Sequence, residues 1–584
     1  MSNTDGSAAA KPFTAWRAPF VRDPRDPGVA APQEAAAPAE GSPNAARYIR
    51  AAILLSIAAL LGPVLVADVP PLTDYPNHLA RFWLEGGGAA IAPISSMYRL
   101  VWDAVTNIGV DLLAVALVPL VGYDVTGRLL VAAAVVLPAV GGVFLWRVLH
   151  GRLHWWQLCF ALLAWNMGLI MGFLNFEIGL GLAMLAAAAD PALARRGAVA
   201  ATLARAALAG LILLVHVFAF AFYFALLAAQ AIGPKFRPLL QREALVRAGK
   251  SLLWTAGALA LPAIVFLLFA PSLPGRQAGA NLATAWSDFR TGFEQFRAFP
   301  AAKLGFVLVG VHTYADWLDM LTLAAIELPI LASLMSRRLT AHAGMIVVTA
   351  GLCVCYFVFP DLLAGTAWVD RRFALMAMFT IVAALRPDMS PRPALIAAVC
   401  LLAVTLTRTS VIGWIWRERQ ADVASVARAL DFAPPGAAIL PLEHTPFMRD
   451  APIGRYSALN EPTFRHLAAL ATPWRRAFTP ILFAARGKQP VQVLAPWYEI
   501  SEPDGGLPAS ANALASPEIY ARAVVFASYL KVWRERFDYA LVLNADVPDA
   551  YGPFVPPEGM ELVKDEGFAQ LYRIGRLRQT GQHK

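Results

Sequence analysis

Long apolar runs separated by short polar turns fill the chain from about residue 48 to residue 415, and a mixed pattern of short pieces follows. A hydrocarbon core roughly 30 Å thick needs about 20 apolar residues per spanning helix, so this repetition predicts a mainly α, polytopic transmembrane helical bundle of about 11–13 spans. The first run, Ala51 to Ala67, is expected to stay as an anchor, because no small-x-small cleavage site follows it. Further spans are expected over 126–147, 154–171, 173–190, 251–270, 318–335, 341–358, 371–386 and 393–415.

The polar intervals set the expected topology. Arg147, Arg152, Arg195, Arg196, Arg337, Arg338 and Arg386 mark turns on the cytoplasmic side, while 68–125 and 271–317 form long exported loops. Within these loops, Leu112 to Val121 and Leu304 to Val311 suit interfacial helices, and Gly172 to Glu177 forms a tight exported turn. The stretch 206–232 has basic flanks at both ends. Parity is satisfied if it is a pair of short helices turning near His216, or if Leu112 to Val121 spans as well.

Residues 1–46 are rich in Ala, Pro and Gly without apolar period, which predicts a disordered cytoplasmic tail. The domain limits are then 1–46, a membrane domain over 47–416, and a soluble α/β domain over 417–584 on the exported side. Strands are expected at Ala438 to Leu442, Tyr539 to Leu543 and Gln570 to Ile574, and helices at 421–431 and 517–535.

Composition agrees with lipid: 58% of residues are hydrophobic and 15% charged, against about 25% charged in ordinary soluble domains. The formal charge of +9 is scattered over loops and tail, which argues against a nucleic-acid partner. Cys159, Cys353, Cys355 and Cys400 all fall in apolar runs, so neither disulfides nor a zinc site is expected.

Candidate chemistry begins where the first span ends, in Pro70-Pro71-Leu72-Thr73-Asp74-Tyr75-Pro76-Asn77-His78-Leu79-Ala80-Arg81. Helical spacing places Asp74, His78 and, less closely, Arg81 on one side. A carboxylate there is suited to removing a proton or holding a divalent ion; the plain alternative is a helix cap. Glu177 lies in an otherwise apolar stretch, where an acid at mid-membrane costs roughly 2.5–3.5 kcal/mol and demands water, a partner or a substrate. His216 is either satisfied within the bundle or sits at an exported turn. Arg371 and Arg372 carry forks that match phosphate oxygens, with interfacial anchoring as the alternative and at most one of the two facing a site. His444 and His466, with Trp474, Arg475 and Arg476, offer contacts for an acceptor but match no nucleophile or metal spacing, so surface or core roles are the expected reading.

The Pro-Pro-x-x-Asp run directly after the first span, with Val121-Gly122, Gly127-Arg128, Arg147 and Asn175-Phe176-Glu177, resembles the GT-C superfamily of membrane glycosyltransferases. It is similar in outline to enzymes of the protein mannosyltransferase and aminoarabinose transferase type. The resemblance implies a polyprenyl-phosphate-linked sugar as donor, a glycolipid, polysaccharide or protein hydroxyl as acceptor, and a place in the bacterial inner membrane. It implies Asp74 and Glu177 as catalytic acids; the chemistry of the residues themselves offers magnesium or manganese as the metal these acids would hold, and His78, Arg81, His216, Arg371 and Arg372 as substrate-binding residues. Asp74-Tyr75 departs from the commoner Asp-Glu pair; Asp68 is either a substitute acid or, as the plainer reading, a polar residue at the helix end by the lipid boundary. Two other classes are compatible with the pattern: a lipid or solute transporter, which inverted repeats would favour, and a non-catalytic envelope-assembly protein.

Overall fold

The computed structural model describes residues 43–103, 106–236, 241–269, 282–298, 303–363 and 366–575. The expected tail falls outside these residues up to position 42, as do 271–281 and 299–302 of the loop expected at 271–317 and the last position of the span expected at 251–270. Among the described residues, seven helices are long and apolar enough to cross a membrane, which makes this a multi-pass membrane protein, mainly α. They are Ala45–Val66, Tyr123–His150, Leu174–Ala194, Ala198–Val215, Ala248–Val265, Asp316–Met335 and Pro391–Leu430. Four shorter apolar stretches, Gly109–Val121, Trp155–Ile170, Val217–Ile232 and Ala343–Val358, complete the apolar set.

Local chemistry explains where the helices break. The run expected to span 154–171 is three short pieces, Trp155–Leu158, Cys159–Leu163 and Met167–Ile170. The Asn166 side chain causes the second break: it accepts from the Leu169 amide at 3.1 Å and donates to the Leu163 carbonyl at 3.1 Å, capping a new turn. At His216 the ring accepts from the Phe218 amide at 3.2 Å, so Ala198–Val215 ends and Val217–Ile232 begins there. Leu304 to Val311 contains a single helical turn, Phe306–Val309.

Helices Tyr123–His150 and Leu174–Ala194 approach through small residues, as bundles in lipid commonly do. A Cβ built at Gly181 would lie 2.4 Å from the Leu137 carbonyl carbon, and one at Gly141 would lie 2.7 Å from the Gly181 oxygen. A side chain at either place would part the two helices.

The last helix, Pro391–Leu430, runs 40 residues, roughly 60 Å at 1.5 Å per residue, about twice the hydrocarbon thickness. The break expected at 417 is therefore absent. The helix continues into the C-terminal domain, burying Asp422, Val423, Ser425, Val426, Ala429 and Leu430 there. Ser425 Oγ donates to the Glu566 carbonyl and accepts from the Ala569 amide, stitching the helix to the sheet.

That sheet has five strands in the order Ala509–Ser510, Ile439–Glu443, Tyr539–Leu543, Ala569–Ile574, Met560–Asp565. The first three run parallel and the last two form an antiparallel hairpin. Tyr539–Leu543 is buried at every position, as befits a central strand covered on both faces. A separate two-stranded ribbon pairs Tyr98–Leu100 of the first loop with Val491–Val493. The C-terminal domain is thereby joined to the loop that follows the first span.

Candidate active site

The backbone before Asp74 is held from four directions. Gln420 of the long helix accepts from the Asp68 and Val69 amides and donates to the Val69 carbonyl. Tyr314 donates to the Pro71 carbonyl at 2.8 Å and itself accepts from Trp416. The Thr73 amide donates to Ile170 and the Asp74 amide to Met171, while the Thr73 hydroxyl reaches the Pro462 carbonyl. Gly172 closes the underside with φ +81°. A Cβ there would stand 2.9 Å from the Asp74 nitrogen, so only glycine combines that turn with this approach.

Asp74 precedes helix Tyr75–Glu85 but makes no side-chain capping bond, which leaves its carboxyl available. The side chain keeps 19% of its surface exposed, enough for a reactant to reach it. His466 Nε2 lies 3.6 Å from its Oδ1. Burial raises the Asp74 pKa to about 7, opposed by the guanidinium groups of Arg465, Arg372 and Arg81 and reinforced by Glu461. His466 is pushed down to about 3 by burial and by Arg465, so its ring is neutral.

The expected site residues separate into those that join Asp74 and those that do not. His78 does: its ring stacks on Phe82 and meets the edge of Phe483, the same ring that lies against His466. Burial holds it well below the usual histidine range, so it too is neutral. Arg372 points inward, its guanidinium 4.6 Å from the Phe173 ring, with Phe176 and Phe218 beyond. One fork nitrogen donates to the Ala367 carbonyl and Nε is buried without a partner. His216 stands beside that aromatic cradle, its ring 5.4 Å from Phe176.

Arg371 turns the other way, lying 3.7 Å over the Trp368 ring and pairing with Asp361. The two adjacent arginines therefore divide, one into the Phe173, Phe176 and Phe218 rings and one over Trp368 toward the loop, because a helix sends neighbouring side chains about 100° apart. Arg81 is 1% exposed and paired with Glu85 and Asp111, so it ties its helix to Gly109–Val121 and has no free fork for a substrate. Asp68 is met by Arg128.

Glu177 has different neighbours from Asp74. The expected turn Gly172 to Glu177 is shorter than that: the helix begins at Leu174, placing Glu177 in its first turn and fully buried. Asn166 donates to one oxygen at 3.3 Å and the other has no partner among the described residues. A Cβ on Gly168 would meet that second oxygen at 2.6 Å. These surroundings do not fit a magnesium or manganese ion shared with Asp74. Cationic groups ring Asp74, Glu177 has an amide for company, and among the described residues no cluster of three or more His, Cys, Asp or Glu could hold a metal.

Three residues in the site, Glu461, Arg465 and His466, were not legible as such. Glu461 and Arg465 pair at 2.7 Å, one helical turn apart in spacing. The available signal was an ionisable group of three within Glu461-Pro462-Thr463-Phe464-Arg465-His466, next to apolar Leu467-Ala468-Ala469-Leu470.

No known family model matches the chain, and no curated protein does. Among solved structures, it is similar to ArnT from Cupriavidus metallidurans in the apo state, at 11% identity and a TM-score of 0.46. The likeness covers 91% of this chain and 98% of that one. It is one of outline, and the chemistry of the site rests on its own side chains.

Proposed function

We propose that this protein is a membrane glycosyltransferase that moves a hexosyl or pentosyl group from a polyprenyl-phosphate donor to an acceptor hydroxyl. The observation that carries the reading is Asp74: a reachable carboxyl with pKa raised to about 7, within the electrostatic influence of the Arg465 and Arg372 guanidinium groups. A base poised near neutral pH and a cation beside it are what acceptor activation and phosphate departure require.

In this scheme Asp74 takes the proton from the acceptor hydroxyl as the acceptor oxygen bonds to the anomeric carbon. The bond from that carbon to the phosphate oxygen breaks, and the lipid phosphate leaves with the electron pair beside Arg372. Single displacement inverts the anomeric centre. His78 and His216 line the approach, and Arg372 with Arg465 supplies the charge neutralisation for which a divalent ion would otherwise serve. The acceptor is a glycolipid, polysaccharide or protein, and the reaction faces the exported side of the bacterial inner membrane.

The test is transfer from a radiolabelled polyprenyl-phosphate sugar by proteoliposomes of the wild type and of Asp74→Asn. Loss of a general base should lower the rate about 10²- to 10⁴-fold. Undiminished transfer by Asp74→Asn, with a donor the wild type uses, overturns the assignment.

A further inference from the structure

The segment that carries His466 belongs to the C-terminal domain in sequence, yet it is pinned against the helix that follows Asp74. Asn77 donates to the Ile481 carbonyl at 3.2 Å and accepts from the Phe483 amide at 3.1 Å. Thr73 reaches Pro462 from the other side, and the Thr463 hydroxyl donates to Gly454 at 2.6 Å. The His466 ring, 3% exposed, lies between these attachments with the Phe483 ring 4.9 Å away in an edge contact. Its Nδ1 is buried without a hydrogen-bond partner among the described residues, and on the Nε2 side the ring meets the Asp74 carboxyl at 3.6 Å.

We infer that the C-terminal domain completes the reaction centre by supplying His466 as the positioning residue for Asp74. This rests on the glycosyltransferase reading above. The ring donates Nε2–H toward Oδ1 and fixes the carboxylate, leaving Oδ2 turned to the acceptor hydroxyl. An ionised Asp74 selects that tautomer, because a bare Nε2 would oppose it lone pair to lone pair. The 3.6 Å separation is a few tenths longer than a hydrogen bond, a gap that catalytic pairs commonly close when substrate enters. Thr73, Asn77 and Phe483 then serve a common purpose: they hold the domain where this ring meets this carboxylate.

The experiment compares His466→Gln and His466→Leu with wild type in the same proteoliposome assay, separating kcat from KM and measuring thermal unfolding of each variant. Glutamine keeps an N–H donor at similar reach, whereas leucine keeps apolar bulk against Phe483 without a donor. The expected result is a kcat loss of up to about 100-fold in His466→Leu with KM unchanged, and substantial recovery in His466→Gln. Full activity in His466→Leu overturns the inference, and so does an equal loss in both variants at wild-type stability. Should both variants unfold early, Phe483→Leu frees the ring without altering His466 or Asp74; unchanged kcat there also overturns it. Wild-type transfer abolished by Asp74→Asn, together with an indifferent His466 series, sinks this inference alone. Absence of transfer by wild type, or its persistence in Asp74→Asn, sinks the parent reading and this one with it.

Discussion

Asp74 titrates where a base for neutral conditions should. Burial lifts its pKa to about 7, while Arg465, Arg372 and Arg81 restrain the rise and Glu461 adds to it; His466 and His78 face it uncharged. A base works only when deprotonated, so kcat/KM should climb about tenfold between pH 6 and pH 8 and level off above. Arg465→Gln removes the leading stabiliser of the ionised form and should move the midpoint of that climb upward. A flat profile from pH 5.5 to 8.5 would show that some other group, or none, is titrating. Asp74 could be picked from sequence because the Pro-Pro-x-x-Asp run after the first apolar run resembles a known family, although spacing alone left a helix cap equally open. The pairing of His466 with it could not, since the two lie nearly four hundred positions apart and no local spacing encodes that contact. Arg81 illustrates the converse: its helical spacing with Asp74 is real, but Glu85 and Asp111 occupy the guanidinium first.

At the scale of elements, the bundle encloses one ion pair that polarity patterns did not single out. Arg408 of the long helix and Asp319 of Asp316–Met335 meet at 3.0 Å, both side chains fully buried. Thr313 donates twice to the same carboxylate, and Arg408 donates to Thr322 and to the Trp165 and Val311 carbonyls. Removing one member leaves the other charge buried and unmatched, at about 3–5 kcal/mol. Arg408→Met should therefore lower the unfolding temperature in detergent markedly, and Arg408→Met combined with Asp319→Leu should recover most of the loss. A single variant as stable as wild type would mean that the pair contributes nothing to helix association. Element boundaries followed the same divide between local and distant causes. Apolar runs located the helices, but the break at Asn166 depends on one side chain choosing backbone partners. The continuation of the last helix past residue 417 depends on the sheet that receives it.

Across the whole molecule, the two ends of the bundle differ in charge and in content. Helix Tyr123–His150 starts beside Tyr75, whose hydroxyl would be 2.5 Å from a Cβ on Gly127, and spans about 42 Å to its far end. There His150 meets the Ala383 carbonyl, Arg152 and Arg386 pair with Asp388, and the Asp388 amide donates to the Arg338 carbonyl. The basic turns read from sequence thus gather opposite Asp74 and the sheet domain. The tendency of arginine-rich short turns to remain in the cytosol predicts that Asp74 and residues 461–466 face the exported side. With the four native cysteines changed to alanine, Lys531→Cys should react with a membrane-impermeant maleimide in spheroplasts. Arg196→Cys should react only after permeabilisation. Both positions are exposed, so silence at either would reflect the membrane rather than burial. The opposite labelling pattern would put Asp74 on the cytosolic side, where an exported-side lipid-linked sugar could not reach it, and would remove the topological basis of the transfer scheme.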